Sequence, residues 1–137
     1  MMKKVVLAIA ALSLVAIAAF ATPITGDILG AWVNIDPEAE GLAQVTILPS
    51  ESGGLNVFGY GVCSPSFCEW GATPLVLVGM APDFVEEWGV AVWDDAPFMT
   101  IMTLRLEGTI LVAEMFSYMT DGTGIPRREL VLLRQVL

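Results

Sequence analysis

The chain has 137 residues, 55% of them hydrophobic, with fifteen acidic residues against six basic ones and no histidine, giving a net charge of −9. Such acidity repels phosphate backbones and anionic lipid headgroups, which sets nucleic acids and anionic membranes aside as partners. The missing histidine removes the commonest general base and the commonest transition-metal ligand.

The elements read in chain order begin with residues 1–21. Met1-Met2-Lys3-Lys4 is a short basic head, residues 5–20 are an uncharged apolar run, and Ala19-Phe20-Ala21 is a small-residue exit. Together they predict a helical secretory signal peptide that is cleaved after Ala21. The run falls short of the roughly 20 residues that a spanning helix needs, so no stable membrane anchor is expected after cleavage. The expected location is secreted or periplasmic. Loss of Lys3 and Lys4 leaves four arginines against fifteen acids, a net charge of −11 on residues 22–137. That length suits one domain with a core of its own.

Gly and Pro then punctuate the chain at short intervals, and β-branched, aromatic and leucine-rich runs lie between them. This is a many-stranded pattern. Eight strands are predicted, over residues 31–35, 43–48, 55–62, 73–79, 88–93, 98–106, 110–119 and 129–136. Residues 49–54 form the turn between the second and third strands. Glu107-Gly108 forms a tight hairpin between the sixth and seventh, since glycine accepts positive φ at little cost. Residues 82–87 suit one helical turn. Short antiparallel connections with no long crossover predict an all-β, eight-stranded up-and-down barrel, with a two-sheet sandwich as the alternative. A barrel of this size is either filled by side chains or holds one small ligand. Several strands are apolar on both faces. In the sixth, Phe98, Met102, Leu104 and Leu106 oppose Met99 and Ile101. That surplus points to a covering element or to an interface between copies.

Few residues carry chemistry. Cys63 and Cys68 form a C-x4-C pair. Two thiols without histidine or further cysteine cannot complete a zinc site, and the spacing is not the redox C-x-x-C, so a structural disulfide is expected. Asp94 and Asp95 are neighbours on a strand and point to opposite faces, which prevents them from converging as a catalytic pair. Asp36-Pro37-Glu38 reads as a turn, and the acidic run there lacks the spacing of a calcium loop. Gly59-Tyr60-Gly61 lies inside a strand, which signals a bulge or a close backbone approach. No catalytic residue, metal site or cofactor is predicted.

Gly30-Ala31-Trp32 near the start, with the late arginines Arg127, Arg128 and Arg134, resembles the closure device of lipocalin-like barrels, in which a guanidinium stacks on the indole. Thr120-Asp121-Gly122 meets part of a second lipocalin signature. The longer pattern is Trp32-Val33-Asn34-Ile35-Asp36-Pro37 followed by the segment from Cys63 to Gly71, in the form C-x-P-x-x-C-x-W-G. It resembles a family of small secreted bacterial proteins, and that resemblance implies a fold and a compartment but no activity.

The function expected from these readings is a non-enzymatic barrel that binds a small apolar ligand. The candidate lining is Trp32, Phe58, Trp93, Phe98, Met102 and Phe116, whose alternative role is core packing. A second expectation is a structural protein that self-associates or binds a protein partner through its surface.

Overall fold

A computed structural model describes residues 27–63, 66–79 and 88–136. The predicted signal segment and the helical turn expected at 82–87 lie outside these residues. The described part is a closed antiparallel barrel of eight strands, each paired with its neighbours in sequence. The strands are β1 (Gly30–Asn34), β2 (Leu42–Pro49), β3 (Leu55–Val62), β4 (Phe67–Val78), β5 (Trp88–Asp95), β6 (Phe98–Glu107), β7 (Ile110–Met119) and β8 (Arg127–Gln135). The sandwich alternative is thereby set aside.

Turn chemistry matches the sequence. Gly108, at φ 63°, turns the chain from β6 to β7 with Glu107 and Ile110 facing each other across the hairpin. Gly53 and Gly54 also take positive φ between β2 and β3. The Asp36 carboxylate accepts the Glu38 N–H at 3.0 Å, which makes the expected turn after β1. Closure comes from β1 lying against β8, with Trp32 opposite Gln135 and Asn34 opposite Leu133. Backbone hydrogen bonds from Ile35 N to Leu132 O and from Val136 N to Ala31 O extend this join at both ends. Closure of the wall confines free sheet edge, between β4 and β5, to the stretch beyond their three ladder pairs, which suits an apolar chain.

The core fills one half of the barrel. Ile28, Trp32, Ile47, Leu75, Leu104, Leu111 and Leu133 are buried together, and Leu77 and Leu106 pack against them. The Trp32 indole is 2% exposed and donates its N–H to the Ile28 carbonyl at 2.8 Å, so the turn leading into β1 plugs this end. Arg134 stands opposite Val33, on the other side of the wall from Trp32, because alternate residues face opposite ways. The expected stacking of a late arginine on Trp32 is therefore not formed by Arg134. Among the described residues, the guanidinium that does lie over an indole is that of Arg105, 5.0 Å from the ring centre of Trp88.

One length of wall is held differently. The β4–β5 ladder runs over three pairs only, from Val76 opposite Val90 to Val78 opposite Trp88. Nearer the other end, two side chains link the same strands. Thr73 donates its hydroxyl to Val92 O at 2.6 Å, and the Trp93 indole N–H donates to Gly71 O at 3.1 Å.

Candidate functional site: a cavity at the open end

The inward row of β6 runs from Leu106 and Leu104 at the packed end, through Met102 and Thr100, to Phe98 at the opposite end. Along β8 the same progression runs from Leu133 and Val131 to Glu129 and Arg127. The lining thus changes from aliphatic to aromatic, hydroxyl and charged side chains. Packing stops where this change occurs, and a cavity of about 500 Å³ opens to solvent. Leu42, Trp93, Thr100 and Met115 form its buried base. Thr100 and Ser117 face each other on β6 and β7, and their hydroxyls are 3.2 Å apart.

Trp70 and Trp93 form one wall, edge to face, with ring centres 5.7 Å apart and planes at 83°. The placing of Trp70 follows from the chain around it. The β3–β4 register runs Gly59 opposite Gly71 and then Tyr60 opposite Glu69, so Trp70 is the extra residue of a bulge. Gly71 beside it has φ 82°. A bulge of this kind re-aims a side chain. Here the indole lies across the inner face of β3, where a Cβ on Gly59 would meet Trp70 Cε3 at 2.6 Å and a Cβ on Gly61 would meet its Nε1 at 2.9 Å. The Gly59-Tyr60-Gly61 spacing thus marks both a bulge opposite and a close approach.

The mouth carries charge. Glu69, Asp95, Glu129 and Arg127 line it, with Phe98 and Ile125 beside them. Gly41 in the β1–β2 connection makes room for Glu129, since a Cβ there would collide with its carboxylate. The root of the β7–β8 loop is fixed by Thr120, whose N–H and hydroxyl both donate to Pro97 O, at 2.7 and 3.1 Å. In the same loop Thr123 donates its N–H and hydroxyl to Asp121 Oδ1, which holds the Asp121 carboxyl below its ordinary value. Cys63 and Cys68 are joined as a disulfide across the β3–β4 hairpin, with Cα atoms 5.5 Å apart, within the normal range. This bridge stands at the open end.

The six residues expected to line the barrel divide into three pairs. Trp93 and Phe98 line the cavity. Trp32 and Met102 face inward but are buried in the packed core. Phe58 and Phe116 are on the outer surface, and their proposed lining role is corrected. Phe58 lies between the inward positions Val57 and Gly59, and Phe116 between Met115 and Ser117. Glu69, Trp70, Asp95, Met115 and Glu129 belong to the lining and were not singled out for it from the sequence. Asp94 and Asp95 diverge as expected, and only Asp95 reaches the cavity. Among the described residues no group of three or more cysteine, aspartate or glutamate side chains is placed to hold a metal ion.

No protein-family model, curated protein or solved structure shows a significant match to this chain.

Proposed function

We propose that the chain is an exported, non-enzymatic barrel that holds a small apolar or amphipathic molecule in the cavity at its open end. The observation that carries this reading is the cavity itself. Its volume of about 500 Å³ lies in the range of small-molecule sites, roughly 300–1,000 Å³. Its base is buried and mainly apolar, and a few polar groups converge near the mouth, as in such sites. Export is supported by the basic head, apolar run and small-residue exit of residues 1–21, and by the Cys63–Cys68 disulfide, which persists in oxidising compartments. The lipocalin resemblance accords with an eight-stranded barrel open at one end.

Native mass spectrometry on protein recovered from its own host, without refolding, tests the reading. A bound small molecule that is released on denaturation is the expected result. A ligand-free protein whose tryptophan fluorescence stays constant through titration with fatty acids, alcohols and amines would overturn it.

A second reading, assembly of copies through the outer wall, is favoured by one observation. Val92, Ile101 and Phe116 are register partners in a continuous row across three strands, and Val92 and Phe116 are exposed. A mass that rises with concentration would support it.

A further inference from the structure

We infer that the molecule held in the cavity is a cationic amphiphile, with its apolar body on the Trp70–Trp93 wall and an ammonium or similar cation at the mouth. This inference rests on the binding reading above and adds the charge of the ligand to it. Three carboxylates, Glu69, Asp95 and Glu129, line the cavity against one guanidinium, that of Arg127. The ion pairs found among the described residues, Arg105–Glu107 and Arg128–Glu114, draw on none of the four. The lining therefore keeps its excess of negative charge.

The surrounding loops add to that field. The β1–β2 connection contributes Asp36, Glu38 and Glu40 at the same end, Asp94 is the penultimate residue of β5 there, next to Asp95, and Asp121 sits in the β7–β8 loop. Arg128, the other cation at this end, is engaged by Glu114 at 2.8 Å. A cleft lined by one sign of charge focuses field lines and concentrates ions of the opposite sign. An anionic amphiphile such as a fatty acid would have to place its carboxylate among these groups.

The aromatic lining works in the same direction. A cation over the face of an indole or phenyl ring is attracted by the ring quadrupole, and aromatic pockets recognise quaternary ammonium groups in this way. Trp70, Trp93 and Phe98 lie beside the carboxylates in one cavity. Charge, aromatic faces and an apolar base thus converge on one chemical class.

The test compares three probes with the same tail, decyltrimethylammonium, decanoate and decanol, each below its micelle concentration. Tryptophan fluorescence of the purified protein reports binding. The expected order is cation, then alcohol, then carboxylate, with the cation ahead of decanoate by about tenfold or more at low salt and the gap narrowing as salt screens the mouth. In the triple variant Glu69→Gln, Asp95→Asn, Glu129→Gln, the cation should lose most of that advantage while decanol binding persists and shows the barrel intact. Equal affinities, or decanoate ahead of the cation, would overturn the inference and leave the binding reading standing. A preference that survives the triple substitution would overturn the role of these carboxylates. Binding of none of the three probes would overturn both readings together.

Discussion

Replacing Gly59 by alanine tests how the aromatic wall is built. The added Cβ would lie 2.6 Å from Trp70 Cε3 and 3.3 Å from Trp93 Cζ2. Carbon atoms prefer roughly 3.5–4.0 Å, so the first contact is short by about 1 Å. Gly61 holds its other edge and Trp93 abuts it, so the indole can retreat only toward the cavity, at the cost of its contact with Trp93. Overpacking of this kind costs about 1–3 kcal/mol. The cost should depend on Trp70. In a Trp70→Ala background the first clash disappears, and alanine in place of glycine within a strand then gains about 0.5–1 kcal/mol. Urea unfolding of the wild type, both single variants and the double variant closes a thermodynamic cycle. Gly59→Ala is expected to be destabilising alone and near neutral or stabilising beside Trp70→Ala. Equal costs in the two backgrounds would refute the argument that these glycines exist to seat the indole.

Four further outcomes are expected. Replacing Cys63 and Cys68 by serine should lower stability by about 2 kcal/mol, the loop-entropy value for so short a bridge, as read by the urea midpoint. Thr73→Val and Trp93→Phe each remove one of the side-chain links between β4 and β5, and each should cost about 1 kcal/mol in the same assay. In the Trp93→Phe variant, probe binding to the cavity should also weaken, as fluorescence from the remaining tryptophans would show. Thr123→Ala should move the NMR titration of Asp121 upward, because the hydroxyl is the largest cause of its lowered value. The sign follows from linkage. A carboxyl depressed in the folded state contributes fully above its ordinary value of 3.8 and loses that contribution as pH falls through the folded value, so the variant should show less acid-side change at this group.

Strand count and order were legible because each strand is a short apolar run closed by turn residues, and turn chemistry is local. The errors arose where a distant residue decides. β4 begins at Phe67, six residues before the predicted start at 73. Residues 67–72 contain a disulfide cysteine, a bulge and a positive-φ glycine, which together read as loop. Phe58, expected among the lining, takes an outward position. The inward positions are instead Gly59 and Gly61, since the volume in front of them belongs to Trp70, which enters from the next strand. In β7 both faces are apolar, so alternation alone could not settle which side Phe116 takes, whereas the pairing of Phe116 with outward Ile101 does. Of the six candidate lining residues, Trp93 and Phe98 border the cavity. Glu69, Asp95 and Glu129 border it too, and the sequence does not point to them, because charge near a strand end reads as solvated until closure of the barrel brings it to a common space.

Trp93 has two duties in this barrel. Its ring is part of the cavity base, and its N–H fastens β5 to β4 where the backbone ladder has ended. The side chain at that position therefore cannot change freely, because any residue without an indole donor loosens the wall around the cavity. The rim is under no such restriction. Glu69, Asp95, Phe98, Ile125 and Arg127 are exposed, and no side-chain hydrogen bond from them to the wall is found among the described residues. A scaffold arranged in this way can diversify what it recognises by changing its lip while its floor stays fixed. Relatives that take different ligands would accordingly share a tryptophan at position 93 and differ in the charges around the mouth.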